Sequence, residues 1–134
     1  MLYLTRKVTF CASHRYHNPK WSEGENERIF GKCVRNHGHN YVCEVTVSGA
    51  VDPETGMVLN LTELDRILKE EVVEAYDHRF INDDVPGFDR RVPTTENIAL
   101  DVWQRVLRRL SGCSLHRVRL FEDPDLFVDC VADA

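Results

Sequence analysis

The sequence predicts an α+β protein: a largely antiparallel four-stranded sheet with two helices on one face, in the order ββ-αα-ββ. Three observations carry this prediction. Alternating apolar residues mark strands near both ends of the chain. Two stretches with apolar residues three and four apart lie between them. No Pro/Gly/Ser-rich linker or internal repeat divides the 134 residues. Residues 1–134 therefore read as a single domain, long enough to build a core without staples.

Taken in order, residues 2–14 alternate, with Val8, Phe10 and Ala12 on one face and Thr5, Lys7 and Thr9 largely on the other. His14 continues the apolar face, because strand side chains two apart point the same way. Residues 15–36 read as polar and irregular, with Asn18-Pro19 and Ser22-Glu23-Gly24 as turn signals. A second strand runs from about His37 to Ser48 and puts Tyr41, Cys43, Val45 and Val47 on the face that also carries His37 and His39. Asp52-Pro53-Glu54-Thr55-Gly56 is a turn.

Asn60, followed three residues later by Glu63, resembles a capping box and opens a helix striped by Leu61, Leu64, Leu68, Val72 and Ala75. Residues 77–93 read as loop, holding Asp83-Asp84, Pro86-Gly87 and Pro93. Thr94 suits the N-cap of a second helix whose inner face is Ile98, Ala99, Val102, Trp103, Val106, Leu107 and Leu110. Ser111-Gly112 ends it. Two short strands follow, at about 115–122 and 126–132, joined through Asp123-Pro124-Asp125. Two helices cover only one face of such a sheet, which points toward self-association.

Seventeen basic against twenty-two acidic residues give a net charge of −5, which argues against a general nucleic-acid binder. A local basic cluster can still hold a small anion. No apolar run approaches the roughly 20 residues of a membrane helix. Met1–Lys7 has no long apolar stretch behind its charges, so a cytoplasmic protein is expected. Cys11, Cys33, Cys43, Cys113 and Cys130 form an odd set without paired spacing and read mostly as reduced, inert thiols. Cys33 is the exception because of its neighbours.

His37-Gly38-His39 is the most informative tripeptide. On a strand both imidazoles project to one side, and a neighbouring strand ending in His14 can supply a third. Three neutral imidazoles suit Zn²⁺ with a fourth place open, a catalytic arrangement. Cys33 lies four residues before His37 and has two readings. As a ligand it would close a structural site with His37, His39 and Cys43, in a protein without catalysis; otherwise it is a base or nucleophile beside the metal. Asp77-His78 has the make-up of a proton-transfer pair, although helix-end decoration gives the same dipeptide. Glu122 keeps the parity of Val118 and Leu120, and a carboxylate on that apolar side needs a partner or a ligand.

The run Phe10-Cys11-Ala12-Ser13-His14, then Glu25-Asn26, Phe30-Gly31-Lys32-Cys33 and His37-Gly38-His39-Asn40-Tyr41, resembles the 6-pyruvoyl-tetrahydropterin synthase family. The likeness continues through Asp52–Val58, Asn60-Leu61, Asp77-His78 and Pro93-Thr94-Thr95-Glu96-Asn97 to Glu122, in the family's order. That family includes the 6-carboxytetrahydropterin synthase of queuosine biosynthesis. The resemblance implies the tunnelling fold, in which sheets join into an oligomeric barrel, as a homohexamer with active sites between subunits. It implies that His14, His37 and His39 hold zinc and that Cys33, Asp77 and His78 move protons. Glu122 would anchor the pterin ring by its guanidine-like edge, with Thr94 and Thr95 also touching it. The implied substrate is 7,8-dihydroneopterin triphosphate, with Lys20, Arg28, Lys32 and Arg35 as candidate phosphate partners. Cys33 and His37 are separated by three residues, as in the carboxy branch, whereas Phe30–Cys33 and Pro93–Asn97 look like the pyruvoyl branch. The spacing sits at the base, so the carboxy product, formed with release of acetaldehyde, is the expectation.

Overall fold

A computed structural model describes residues 1–133. The strands β1 (Leu2–His14), β2 (His37–Gly49), β3 (Ser114–Asp123) and β4 (Leu126–Val131) form one antiparallel sheet in the order β1-β2-β3-β4. The helical segments lie between β1 and β2 and between β2 and β3. The α+β prediction and its ββ-αα-ββ order hold.

Register follows from burial. β1 and β2 pair from Leu2↔Gly49 to His14↔His37, with Phe10 opposite Tyr41 and Ala12 opposite His39. Because the side-chain period is two, this register sends His14, His37, His39, Tyr41, Cys43 and Val45 to one face. That face is the core: Tyr41, Cys43, Val45, Val118 and Leu120 are fully buried against Leu64, Ile67, Leu68, Ile98 and Val102. The opposite face is polar. Thr5 and Thr46 share a hydrogen bond there, and Arg119 makes a two-point ion pair with Asp129 while its guanidinium lies over the Phe127 ring.

The helix predicted after Asn60 is α2 (Leu61–Leu68), capped by the Asn60 side chain accepting from the Thr62 N–H. It continues through a π turn, Lys69–Val73, into Glu74–Tyr76. Of the predicted stripe, Leu64, Leu68 and Val72 are buried, while Leu61 in the first turn is left exposed; Ile67, absent from the predicted stripe, is buried as well. The last long helix, α4 (Thr95–Leu107), starts at the predicted cap, where Thr94 Oγ1 accepts from the Asn97 N–H at 3.1 Å.

Two predicted loops contain helices. Residues 15–36 hold α1 (Glu23–Phe30) and a 3₁₀ turn, Gly31–Val34, and residues 77–93 hold α3 (Ile81–Asp84). Helix α1 has no apolar face to read, since its one buried residue is Asn26. Ser22-Glu23-Gly24 is a helix start and not a turn: the Ser22 hydroxyl accepts from the Glu25 N–H. Asn26 then ties the preceding loop to the helix. It accepts from Asn18 N and donates to the carbonyls of Asn18 and Ser22.

Candidate metal centre

The site grows out of the last rungs of the β1–β2 ladder. Antiparallel pairing puts His14 across from His37, and the two-residue period puts His39 beside them on the same face. Gly38 permits this close packing, since a Cβ there would lie 3.3 Å from the Ala12 carbonyl oxygen. Glu122 arrives from β3. That strand pairs Cys43 with Leu120 and Val42 with Phe121, so one further step carries Glu122 to the His face. One ligand atom from each of His14, His37, His39 and Glu122 lies within 4.8 Å of the others.

Hydrogen bonds set the imidazole tautomers. His14 Nδ1–H donates to the Pro93 carbonyl at 2.8 Å, and His37 Nδ1–H donates to the Arg35 carbonyl at 2.7 Å. A carbonyl can only accept, so Nε2 of each ring keeps its lone pair. His14 is completely buried, and desolvation lowers its pKa to about 4, which keeps it neutral at pH 7. Its Nε2 and that of His39 are buried without a hydrogen-bond partner. Buried ring nitrogens left bare, beside a carboxylate 8% exposed, are a donor set that fits a cation.

Cys33 sits on the 3₁₀ turn, half-buried, and is not a member of this donor group among the described residues. Cys43 is deep in the core, where burial pushes its thiol up to about 12. A closed Cys33/His37/His39/Cys43 site is therefore not what the fold assembles.

The other predicted residues divide. Thr95, 2% exposed, donates its hydroxyl to Glu122 Oε2. Thr94 spends its hydroxyl as the α4 cap. Asp77 and His78 form a pair, with Nδ1 and Oδ2 2.9 Å apart, but on the far side of β1. There Asp77 Oδ1 accepts from the Cys11 N–H at 2.8 Å, and His78 N–H donates to the Cys11 carbonyl at 2.6 Å. The Cys11 N–H, and His78 after it, hold the Asp77 carboxyl below its ordinary range. His78 adopts φ +60, an uncommon conformation outside glycine, and its side chain is 83% exposed. The fold thus spends strain on presenting this imidazole outward, into a cleft lined by Cys11, Ser13, Gly38 and Arg79.

Tyr16 is the site residue that sequence reading missed. Its N–H donates to the Cys33 carbonyl at 2.8 Å, its hydroxyl donates to Glu122 Oε2 at 3.3 Å, and its ring meets His14 edge-on at 5.2 Å. Burial and the Glu122 charge push the phenol's pKa well up, so it stays a donor. The signal was its position two residues beyond His14, masked by the end of the strand.

One antiparallel sheet with helices on one face and a His₃/Glu donor group at the end of its first strand pair defines the class: an α+β protein with a candidate metal centre. The comparisons with known proteins name the family within that class. Residues 3–133 match the family model described as 6-pyruvoyl tetrahydropterin synthase, and the chain belongs to that family. A 6-pyruvoyl tetrahydrobiopterin synthase of Dictyostelium discoideum is 43% identical over 93% of this chain and 92% of its own. A protein of Archaeoglobus fulgidus, provisionally named a 6-carboxy-5,6,7,8-tetrahydropterin synthase, is 37% identical over 73% of this chain and 77% of its own. The solved 6-pyruvoyl tetrahydropterin synthase of Caenorhabditis elegans superposes with a TM-score of 0.92 at 34% identity, covering 98% of this chain and 96% of that one.

Proposed function

We propose that this chain, a single domain over residues 1–134, is a zinc-dependent lyase that acts on 7,8-dihydroneopterin triphosphate and expels triphosphate. The carrying observation is the convergence of His14, His37, His39 and Glu122, the first and last of them buried, in a chain of this family. Bound at the three imidazoles, zinc supplies a Lewis acid that makes the substrate's side-chain hydroxyls more acidic. Glu122 accepts from the N–H groups of the pterin ring and so orients it, with Thr94 and Thr95 lining the same end. Cys33, on the turn held by Tyr16, takes the proton from the side-chain carbon next to the ring. His78, oriented by Asp77, returns a proton as triphosphate departs.

Asp77 and His78 lie beyond β1 from the imidazoles, which supports an active site shared between copies of the chain. The homohexamer implied by the family brings one copy's His78 to another's Cys33. For the triphosphate, Arg28 is engaged by Glu25 in a two-point ion pair. That pair is exposed and weak, so Arg28 stays with Lys20, Lys32 and Arg35 among the candidate phosphate partners.

The product has two readings. Relatives alike over nine-tenths of the chain are named for the 6-pyruvoyl product, and this supports 6-pyruvoyl-tetrahydropterin. The three-residue spacing between Cys33 and His37 supports 6-carboxy-5,6,7,8-tetrahydropterin plus acetaldehyde. One experiment separates them: zinc-loaded protein is incubated with 7,8-dihydroneopterin triphosphate, the pterin is weighed by mass spectrometry, and acetaldehyde is assayed. Triphosphate release with a new pterin is expected. No pterin conversion sinks the proposal, and acetaldehyde decides for the carboxy product.

A further inference from the structure

The two oxygens of Glu122 have different neighbours. Oε2 receives the Thr95 hydroxyl and the Tyr16 hydroxyl. Two donors occupy the lone pairs of that oxygen and fix where the carboxylate points. Oε1 lies 3.2 Å from His39 Nε2, yet that buried nitrogen makes no hydrogen bond. The pair is close without being aligned for a shared proton.

A metal explains the spacing better. Two donors on one tetrahedral zinc, each at about 2.0–2.1 Å, stand roughly 3.3–3.4 Å apart. His39 and Glu122 are already near that separation; one donor atom each of His14 and His37 lies within 4.8 Å of both, and the Nδ1 bonds of those two rings leave Nε2 as the nitrogen free to ligate. The hydroxyls of Thr95 and Tyr16 supply the hydrogen bonds that ligating carboxylates receive from behind.

We infer that Glu122 is the fourth ligand of the metal in the substrate-free protein, aimed by Thr95 and Tyr16, and that it leaves the metal when it takes the pterin ring. The exchange rests on the function proposed above; the ligation itself does not. With Oε2 already filled by two hydroxyls, the ring's N–H donors must compete for Oε1, the oxygen facing the imidazoles. Seating the ring therefore vacates one coordination place at the moment the side-chain hydroxyls arrive. In the absence of a pterin, the carboxylate keeps water and stray ligands off the metal.

The test uses Co²⁺ as a visible probe, with affinity from chelator competition and coordination from the absorption bands. Glu122→Ala is expected to weaken Co²⁺ binding about ten-fold or more and to shift the bands, a loss on the scale of ligand-support changes. Tyr16→Phe keeps the ring and the backbone bond to Cys33 and loses only the hydroxyl, so a several-fold weakening is expected there too. Unchanged affinity and bands in a folded Glu122→Ala, or in Tyr16→Phe should the first variant misfold, overturn the ligation. The exchange is read by titrating wild-type Co²⁺ protein with 6-methyl-7,8-dihydropterin, which has the ring edge but no side-chain hydroxyls. Bands that move in step with ring binding support the exchange, and binding that leaves them unmoved overturns it. Failure of this pterin to bind at all counts against both the exchange and the proposed substrate, while the affinities of the variants still decide the ligation.

Discussion

His14 and Cys33 illustrate two ways a side chain can matter to one site. His14 is placed by strand parity, stripped of water by the core and turned by the Pro93 carbonyl. Removing its ring should abolish the centre: His14→Ala is expected to lose stoichiometric zinc by metal analysis. Cys33 touches the donor group through the chain and not as a member of it. Cys33→Ala is therefore expected to keep full zinc while turnover of 7,8-dihydroneopterin triphosphate drops about 10²–10⁴-fold, the usual worth of a positioned base. Cys43→Ala makes the contrast, retaining metal at a cost of roughly 1 kcal/mol for the small cavity it leaves, measurable by urea unfolding. The three imidazoles were legible because period-two geometry is rigid and acts over a few residues. The role of Tyr16 was not, since a long-range hydroxyl contact leaves no periodic trace.

The helices show where periodicity succeeds as a signal and where it fails. Helix α4 was readable from both its cap and its stripe, and Ile98, Ala99, Val102 and Val106 are all fully buried. Thr94→Ala should cost about 1 kcal/mol, seen as a fall of a few degrees in melting temperature. Helix α1 escaped because it buries no apolar face; polar contacts organised by Asn26 place it instead. Ser22 followed three residues later by Glu25 was the available clue, a capping-box pair inside a stretch rich in turn residues. Since α1 leads directly into the turn bearing Cys33, Asn26→Ala is expected to speed proteolysis of residues 15–36 while leaving the sheet's circular dichroism intact.

For the whole molecule, the two edges of the sheet and the outward pair Asp77–His78 bear on the same question. Among the described residues, no strand lies beyond β4, and the outer edge of β1 is engaged only at Cys11–Ser13, by residues 77–80. Leu126, Phe127 and Val131 on β4 are about half exposed, and so are Leu2 and Tyr3 on β1. The unpaired stretches of these two edges invite pairing with another chain. If the proposed shared site is right, Cys33→Ala and His78→Ala proteins, each inactive alone, should regain part of the activity when unfolded and refolded together. Sedimentation should show the mixture as one oligomer. Persistent inactivity of a mixed oligomer would place the whole site within one chain. The order of elements along the chain and the sheet's helix-covered face were legible from the spacing of apolar residues. The placement of Asp77–His78 behind β1 was not, because it depends on a left-handed residue at 78 that no pattern announces.

The hairpin that builds the centre also makes it a sensor of its own assembly. The donors from β1 and β2 sit on the closing rung and the next-but-one, so sliding one strand by a single residue would throw His14 out of reach of its partners. On the proposed metal binding, only the correctly threaded strand pair captures an ion there, and capture then penalises every misthreaded alternative by mass action. Zinc added during refolding should accordingly raise the yield of native protein, acting as a proofreader of strand alignment before it serves any chemistry.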